Sequence, residues 1–130
     1  MHYVAIVSVL AFAQVIIMGV LVARARGRYG VAAPSVTGHE VFERYFRVHL
    51  NTLEQLVIFI PSMWLFAHYV SPRWAAAAGV LFLVGRVVYA TSYIRDPKSR
   101  SLGFALGAVP MLLMMVGVLV SAIHALMTGQ

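Results

Sequence analysis

Cysteine is absent from the 130-residue chain. That excludes a disulfide framework, a thiolate metal site and a cysteine nucleophile, and it says nothing about redox compartment. Charge is nearly as scarce. Only 11% of residues are Asp, Glu, Lys or Arg, and 4 of them are acidic, where a soluble domain carries about 25% charged residues. Hydrophobic residues make up 62%, and mean hydropathy is +0.87. A globule this small has too little interior to hide so much apolar surface. A soluble enzyme is therefore a poor reading, and an integral membrane protein is the class that remains. The 10 Lys and Arg give a formal charge of +6. In a soluble protein that excess would point to nucleic acid. In a membrane protein basic residues set topology, so no nucleic-acid partner is expected.

What is present is organised as four apolar runs. Tyr3–Ala23 carries no charge and leads directly into Arg24, Arg26 and Arg28. Its short flank and lack of a small-residue cleavage site suggest a retained helix rather than a signal peptide. The others are about Val48–Val70, Trp74–Ile94 with Arg86 inside, and Leu102–Met127. A span needs about 20 residues at a 1.5 Å rise to cross ~30 Å of hydrocarbon, and all four qualify. With interfacial turns added, the predicted spans cover about 3–23, 41–70, 74–95 and 101–127 of a single domain, 1–130. Gly27, Gly30, Pro34 and Gly38 are expected to break the chain after the first span, and Ser71-Pro72 and Asp96-Pro97 to separate the later ones. Pro61 and Pro110 fall inside spans two and four and are expected to kink those helices, which membrane helices tolerate. The expected fold class is all-α, an integral membrane bundle of four transmembrane helices.

Basic residues divide unevenly between the two ends. Arg24, Arg26, Arg28, Arg44 and Arg47 surround the first connection, and Arg95, Lys98 and Arg100 the third, while the opposite end holds only Arg73. This bias places loops one and three in the cytoplasm, which in a bacterium means an inner-membrane protein. On position alone Arg24, Arg26 and Arg28 read as topology anchors and binders of lipid phosphate. Arg44 and Lys98 read as solvated or snorkelling, and Tyr45, Trp64, Tyr69 and Trp74 as interfacial belt residues. His68 and His124 show no ligand spacing, so no metal site is assigned.

Two polar stripes do not fit a plain bundle. Arg47, Asn51 and Glu54 are spaced i, i+4, i+7 on one helix face. Glu54 lies roughly 10 Å deeper than Arg47. Arg86, Tyr89 and Tyr93 repeat the pattern on the third helix. Intramembrane charge is expensive unless it is paired or hydrated, and it marks a functional site by default. Both stripes open toward the arginine-rich end, so a shared pocket is expected, with a Glu54–Arg86 pair inside it. Guanidinium forks match carboxylates in a bidentate way, and a carboxylate suits an ammonium group. The set complements a small zwitterion with more than one carboxylate. Arginine or tyrosine beside a thiol would stabilise its thiolate, and apolar outer walls would admit a lipophilic second substrate. Phospholipid head groups fit some of the same donors.

The run Phe42-Glu43-Arg44-Tyr45-Phe46-Arg47-Val48-His49-Leu50-Asn51-Thr52-Leu53-Glu54 resembles the helix-two signature of the MAPEG family, the membrane-associated proteins in eicosanoid and glutathione metabolism. Gly85-Arg86-Val87-Val88-Tyr89-Ala90-Thr91-Ser92-Tyr93 is similar to the family's helix-three signature, with Arg100 in the place of the arginine that opens helix four. Loop one, with Arg28-Tyr29-Gly30-Val31, Pro34 and Val36-Thr37-Gly38, resembles the family's type-two microsomal glutathione transferase and leukotriene-C synthase branch. The resemblance covers essentially the whole chain. It implies a homotrimer with a bent glutathione at each subunit boundary. It implies glutathione contacts at Arg26, from the neighbouring subunit, and at Arg47, His49, Asn51, Glu54, Tyr89, Tyr93 and Arg100. Arg86 joins this set through the shared pocket.

The resemblance further implies that Arg100, with Tyr93, holds the thiolate. The activity it implies is glutathione transfer to a lipophilic electrophile, with peroxidase activity toward lipid hydroperoxides as an extension, in a bacterial detoxification member. Two positions depart from the leukotriene-C synthase pattern. Gln55 replaces a tyrosine, and Gly27 replaces a second loop-one arginine. Two rivals stay open: a non-catalytic lipid- or glutathione-binding scaffold of the same fold, and a four-span proton-coupled exporter. The exporter requires a carboxylate in the first span, where this chain has only Gln14.

Overall fold

Four helices form, and their ends follow side-chain chemistry. The computed structural model describes residues 1–130 as α1 (His2–Tyr29), α2 (Glu40–Tyr69), α3 (Pro72–Arg95) and α4 (Ser101–Thr128), with a 3-10 turn at Pro97–Ser99 between the last two. Helix α1 stops at Gly30, whose left-handed φ of 70° returns its N–H to the Arg26 carbonyl. The expected break at Gly27 does not occur. One glycine costs about 1 kcal/mol in a helix, too little to stop a segment whose neighbours Arg24, Ala25, Arg26 and Arg28 are good helix formers. His39 caps α2, its Nδ1 accepting from the Val41 N–H at 3.1 Å. Ser71 caps α3, its Oγ accepting from the Trp74 N–H at 3.3 Å. Helices α2 and α4 run on through Pro61 and Pro110.

All four helices are long and apolar enough to cross a membrane. Large apolar side chains such as Ile16, Val57 and Leu113 stand fully on the outside, as they must where lipid rather than water is the solvent. The interior is divided. Toward the α2–α3 turn it is mostly apolar and carries no charge: Phe59 and Phe82 stack with ring centroids 3.9 Å apart, among Val4, Val7, Ala11, Met63, Met111 and Met114. Toward loop one it splits into a small cluster of Val22, Ala25, Val31 and Phe42 and a second of Met18, Val48 and Tyr89. Two polar ties join α1 to its neighbours. The Gln14 amide donates to the Leu83 carbonyl at 3.0 Å, and the Trp64 indole N–H donates to Ser8 Oγ at 2.9 Å. Trp64 is thus a tie from α2 to α1 as well as a lipid-facing side chain.

The close approach of α3 and α4 rests on small residues, as membrane helix packing requires. A Cβ on Gly103 would collide with the backbone of Tyr89, and one on Gly85 would lie 2.8 Å from Leu106 Cβ and 2.9 Å from the Gly107 nitrogen. Gly103 therefore decides how near the start of α4 comes to Tyr89. Gly103→Ala is expected to destabilise the bundle by about 1–3 kcal/mol, read as a lowered thermal midpoint in detergent. An unchanged midpoint would mean that α4 is not packed this closely.

Candidate functional site

The polar stripes of α2 and α3 meet at the loop-one end, where they wall a cleft of about 250 Å³ lined by Arg47, Asn51, Tyr89, Tyr93, Arg100 and Phe104. Helical spacing brings Arg47 and Asn51 to one face of α2. On α3, Tyr89 and Tyr93 lie one turn apart with rings stacked, centroids 5.5 Å apart. Arg100 is delivered by the α3–α4 turn, which side chains hold in shape. Asp96 Oδ1 accepts from the Lys98 N–H at 3.1 Å, and Ser99 Oγ donates to the carbonyls of Asp96 and Ser92 at 2.8 and 3.0 Å. Arg100 Nη1 donates to the Pro97 carbonyl at 3.3 Å.

Arg86 lies behind this wall rather than on it. Its residue is 1% exposed. Nε and Nη2 donate to Thr52 Oγ1 at 3.2 and 2.8 Å, and Nη2 also donates to Asn51 Oδ1 at 2.8 Å. The guanidinium carbon lies 4.2 Å from the Tyr89 ring centroid. Thr52 Oγ1 passes its own hydrogen to the Val48 carbonyl at 2.8 Å. With Oδ1 committed to Arg86, Asn51 presents its amide N–H groups to the cleft.

The expected Glu54–Arg86 pair is not formed. Glu54 and Thr52 are two positions apart, so they project from opposite sides of α2, and Arg86 follows Thr52 inward. Glu54 Oε1 lies 3.9 Å from Arg47 Nη1 instead, and both side chains are more than half exposed on the single chain. Glu54 flanks the cleft without lining it.

The other expected contacts lie elsewhere on this subunit. His49 is half-buried against α1, where a Cβ on Gly19 would meet its Nε2 at 3.4 Å. Arg26 Nη1 donates to the Ser35 and Val31 carbonyls at 2.6 and 3.5 Å, and its guanidinium carbon lies 4.8 Å from the Phe42 ring centroid. Both hydrogen bonds use Nη1, which leaves the Nη2 edge free.

Arg44 was expected to be solvated and is not. Its Nη1 donates to the Ile94 and Arg95 carbonyls at 3.0 and 3.3 Å, and its Nη2 to Glu40 Oε1 at 2.7 Å. It closes the open carbonyls at the end of α3, where a helix dipole favours a cation. The Phe42-Glu43-Arg44 run was the available signal, but sequence alone does not show which helix end an arginine reaches.

The fold and cleft together define an integral membrane four-helix protein with a cation-rich pocket at one end. The chain belongs to the MAPEG family, whose profile matches residues 4–120. It is 43% identical to an uncharacterised protein of Synechocystis over 122 residues, 94% of this chain and 89% of that one. It is 36% identical to human microsomal glutathione S-transferase 2 over 102 residues, 78% of this chain and 69% of the human one. It is 32% identical to leukotriene C4 synthase of Cavia porcellus over 101 residues, 72% of this chain and 67% of that one.

The Arg86 network makes a stability prediction. Thr52→Val removes two of the three hydrogen bonds to a buried guanidinium. It is expected to cost about 1–3 kcal/mol, measured by thermal or denaturant unfolding in detergent, while Thr52→Ser retains most of the stability. Equal loss in both variants would assign the effect to packing rather than to the hydroxyl.

Proposed function

We propose that the protein is a membrane glutathione transferase, working as a homotrimer with one glutathione site at each subunit boundary. The observation that carries this reading is the donor-rich cleft of Arg47, Asn51, Tyr89, Tyr93 and Arg100, with the Glu54 carboxylate beside it. Glutathione has two carboxylates, one ammonium and one thiol. Guanidinium and amide donors suit the carboxylates, Glu54 suits the ammonium, and a cation beside the thiol favours its ionised form. The relatives named as glutathione transferases support the same ligand.

The trimer is supported by what one chain leaves open. At about 250 Å³ the cleft falls below the usual range for a ligand pocket, ~300–1,000 Å³. Arg47 and Glu54 also stand exposed on a membrane helix, which hydrocarbon does not tolerate cheaply. A neighbouring subunit would cover that face and bring its Arg26, through the free Nη2 edge. Loops one and three are proposed to face the cytoplasm, where glutathione is at hand.

In the reaction the thiol proton leaves to solvent and Arg100 stabilises the resulting thiolate, with the Tyr93 hydroxyl as a second donor. The sulfur then forms a bond to an electrophilic carbon arriving from the bilayer, and the displaced group leaves with the bonding pair. The same thiolate would reach a lipid hydroperoxide. Arg86 touches no substrate. It holds Asn51 and Tyr89 in place and is a positioning residue.

Arg100→Ala is expected to lower kcat by about a hundredfold, with a smaller change in glutathione affinity. The ultraviolet band of bound thiolate should disappear in the same variant. Full turnover without Arg100 would remove it from this role. Glutathione that raises the thermal midpoint of the wild type without any thiolate band or conjugation would favour a binding scaffold.

The pH profile has a defined sign. Thiolate grows as pH rises, and a nearby cation lowers the thiol pKa. The wild-type acid limb should therefore lie below the ordinary thiol value of about 8.5. In Arg100→Ala it should move up toward that value. An acid limb at the same pH in both proteins would show that Arg100 does not act on the thiol.

A further inference from the structure

A second cleft lies on the side of α1 away from Arg26. It measures about 310 Å³ and is lined by Leu21, Arg24, Ala25, Arg28, Tyr29 and Tyr45. Arg24 and Arg28 are one turn apart on the same face of α1. The chain's ion pairs are Arg44 with Glu40 and Arg47 with Glu54, so neither arginine meets a carboxylate. Neither donates a side-chain hydrogen bond; Arg28 only lies 5.4 Å from the centroid of the Tyr29 ring. Tyr29 is itself held by stacking on His39, centroids 4.2 Å apart. Tyr45, expected in the interfacial belt, is half-buried from α2 as part of this wall. The result is a concave site with two unpaired guanidinium groups and two tyrosines, and with Leu21 and Ala25 as its apolar floor.

The surface below this cleft points to the ligand. Leu10, Ile17, Leu21, Arg24 and Arg28 follow helical spacing along one stripe of α1. Leu10 and Ile17 are exposed apolar side chains. The stripe therefore leads from a concave cationic site straight down into the region of acyl chains. A free phosphate or an acidic peptide uses the first half of that surface and leaves the second idle. A phospholipid uses both.

We propose that Arg24, Arg28 and Tyr45 form a binding site for the phosphate head group of an anionic phospholipid in the leaflet nearest loop one, its acyl chains lying along Ile17 and Leu10. Guanidinium forks bind phosphate oxygens in a bidentate way, and the tyrosine hydroxyl adds a donor. The site is separate from the glutathione cleft, so it does not depend on the proposed transferase activity.

The test uses the full-length protein in detergent, titrated with phosphatidylglycerol, phosphatidylcholine or inorganic phosphate. Bound lipid is counted by native mass spectrometry and the thermal midpoint is followed. Phosphatidylglycerol is expected to remain bound and to raise the midpoint more than phosphatidylcholine. Each surface arginine contributes roughly fivefold in affinity for an anionic lipid, so R24Q/R28Q should weaken retention by about thirtyfold. The comparison is R95Q/K98Q, which removes the same charge from exposed side chains of the α3–α4 turn and should keep the retention.

Equal loss in both double variants would reduce the effect to general surface charge and overturn the site. Equal retention of the two lipids by the wild type would also overturn it. Inorganic phosphate that matches phosphatidylglycerol in raising the midpoint would overturn the lipid assignment. Should R24Q/R28Q fail to fold, the single variants Arg24→Gln and Arg28→Gln apply. Each must then lower retention, because both arginines line the cleft.

Discussion

A guanidinium enclosed in the membrane with no carboxylate to neutralise it is the constraint around which the loop-one half of this bundle is arranged. Arg86 is met by a hydroxyl, an amide oxygen and the face of a tyrosine ring. Each partner is neutral, so the charge is solvated rather than cancelled. These acceptors cannot be lost cheaply, because a buried charge stripped of its partners costs several kcal/mol. The requirement fixes the register of α3 against α2 at Thr52 and Asn51. It also orients the Asn51 amide and the Tyr89 ring, both of which face the cleft. One buried contact thereby sets two walls of the site.

The rest of the architecture separates stability from chemistry. The half near the α2–α3 turn is filled by stacked phenylalanines and methionines and carries no charge in its core. Apolar packing there asks nothing of a ligand. The half near loop one has little apolar core and relies on directional contacts: the His39 cap, the Arg44 clamp on the end of α3, and the Ser99 bonds that shape the turn before Arg100. Such contacts specify positions more sharply than apolar packing, which tolerates volume-conserving change. A site that must place several donors around one small ligand gains from that division.

Much of this was legible in the sequence, for physical reasons that can be named. Four apolar runs of spanning length allow only helices in a bilayer, and the helices appear where the runs lie. The i, i+4, i+7 spacing on α2 placed Arg47 and Asn51 together because helical periodicity is insensitive to context. The errors share a cause. Whether Arg86 turns toward Glu54 or Thr52 depends on the rotation of α2 about its own axis, which periodicity leaves undefined. Arg44 reaches carbonyls on α3, and no pattern within α2 reveals an acceptor 50 residues away. Gly27 stands close to the breakers Gly30, Pro34 and Gly38, yet the arginines on either side of it are strong helix formers. Sequence patterns fixed which residues share a face. They could not tell which neighbour that face meets.

The same distinction bears on why charge is exposed here at all. Arg47 and Glu54 lie 3.9 Å apart and remain more than half open on one chain. If they faced lipid, their mutual attraction would not offset the loss of hydration, since two charges in hydrocarbon recover their desolvation cost only at close, fully hydrogen-bonded geometry, which a 3.9 Å contact does not provide. The pair is too weak to be its own reason for existing. It becomes favourable when a polar ligand and a second protein surface close over it, because the added hydrogen bonds then form in a medium of low dielectric, where each is stronger. In the proposed trimer, subunit association and ligand binding thus stabilise the same two side chains. Ligand would therefore strengthen the assembly, and assembly would complete the site, without any further device in the fold.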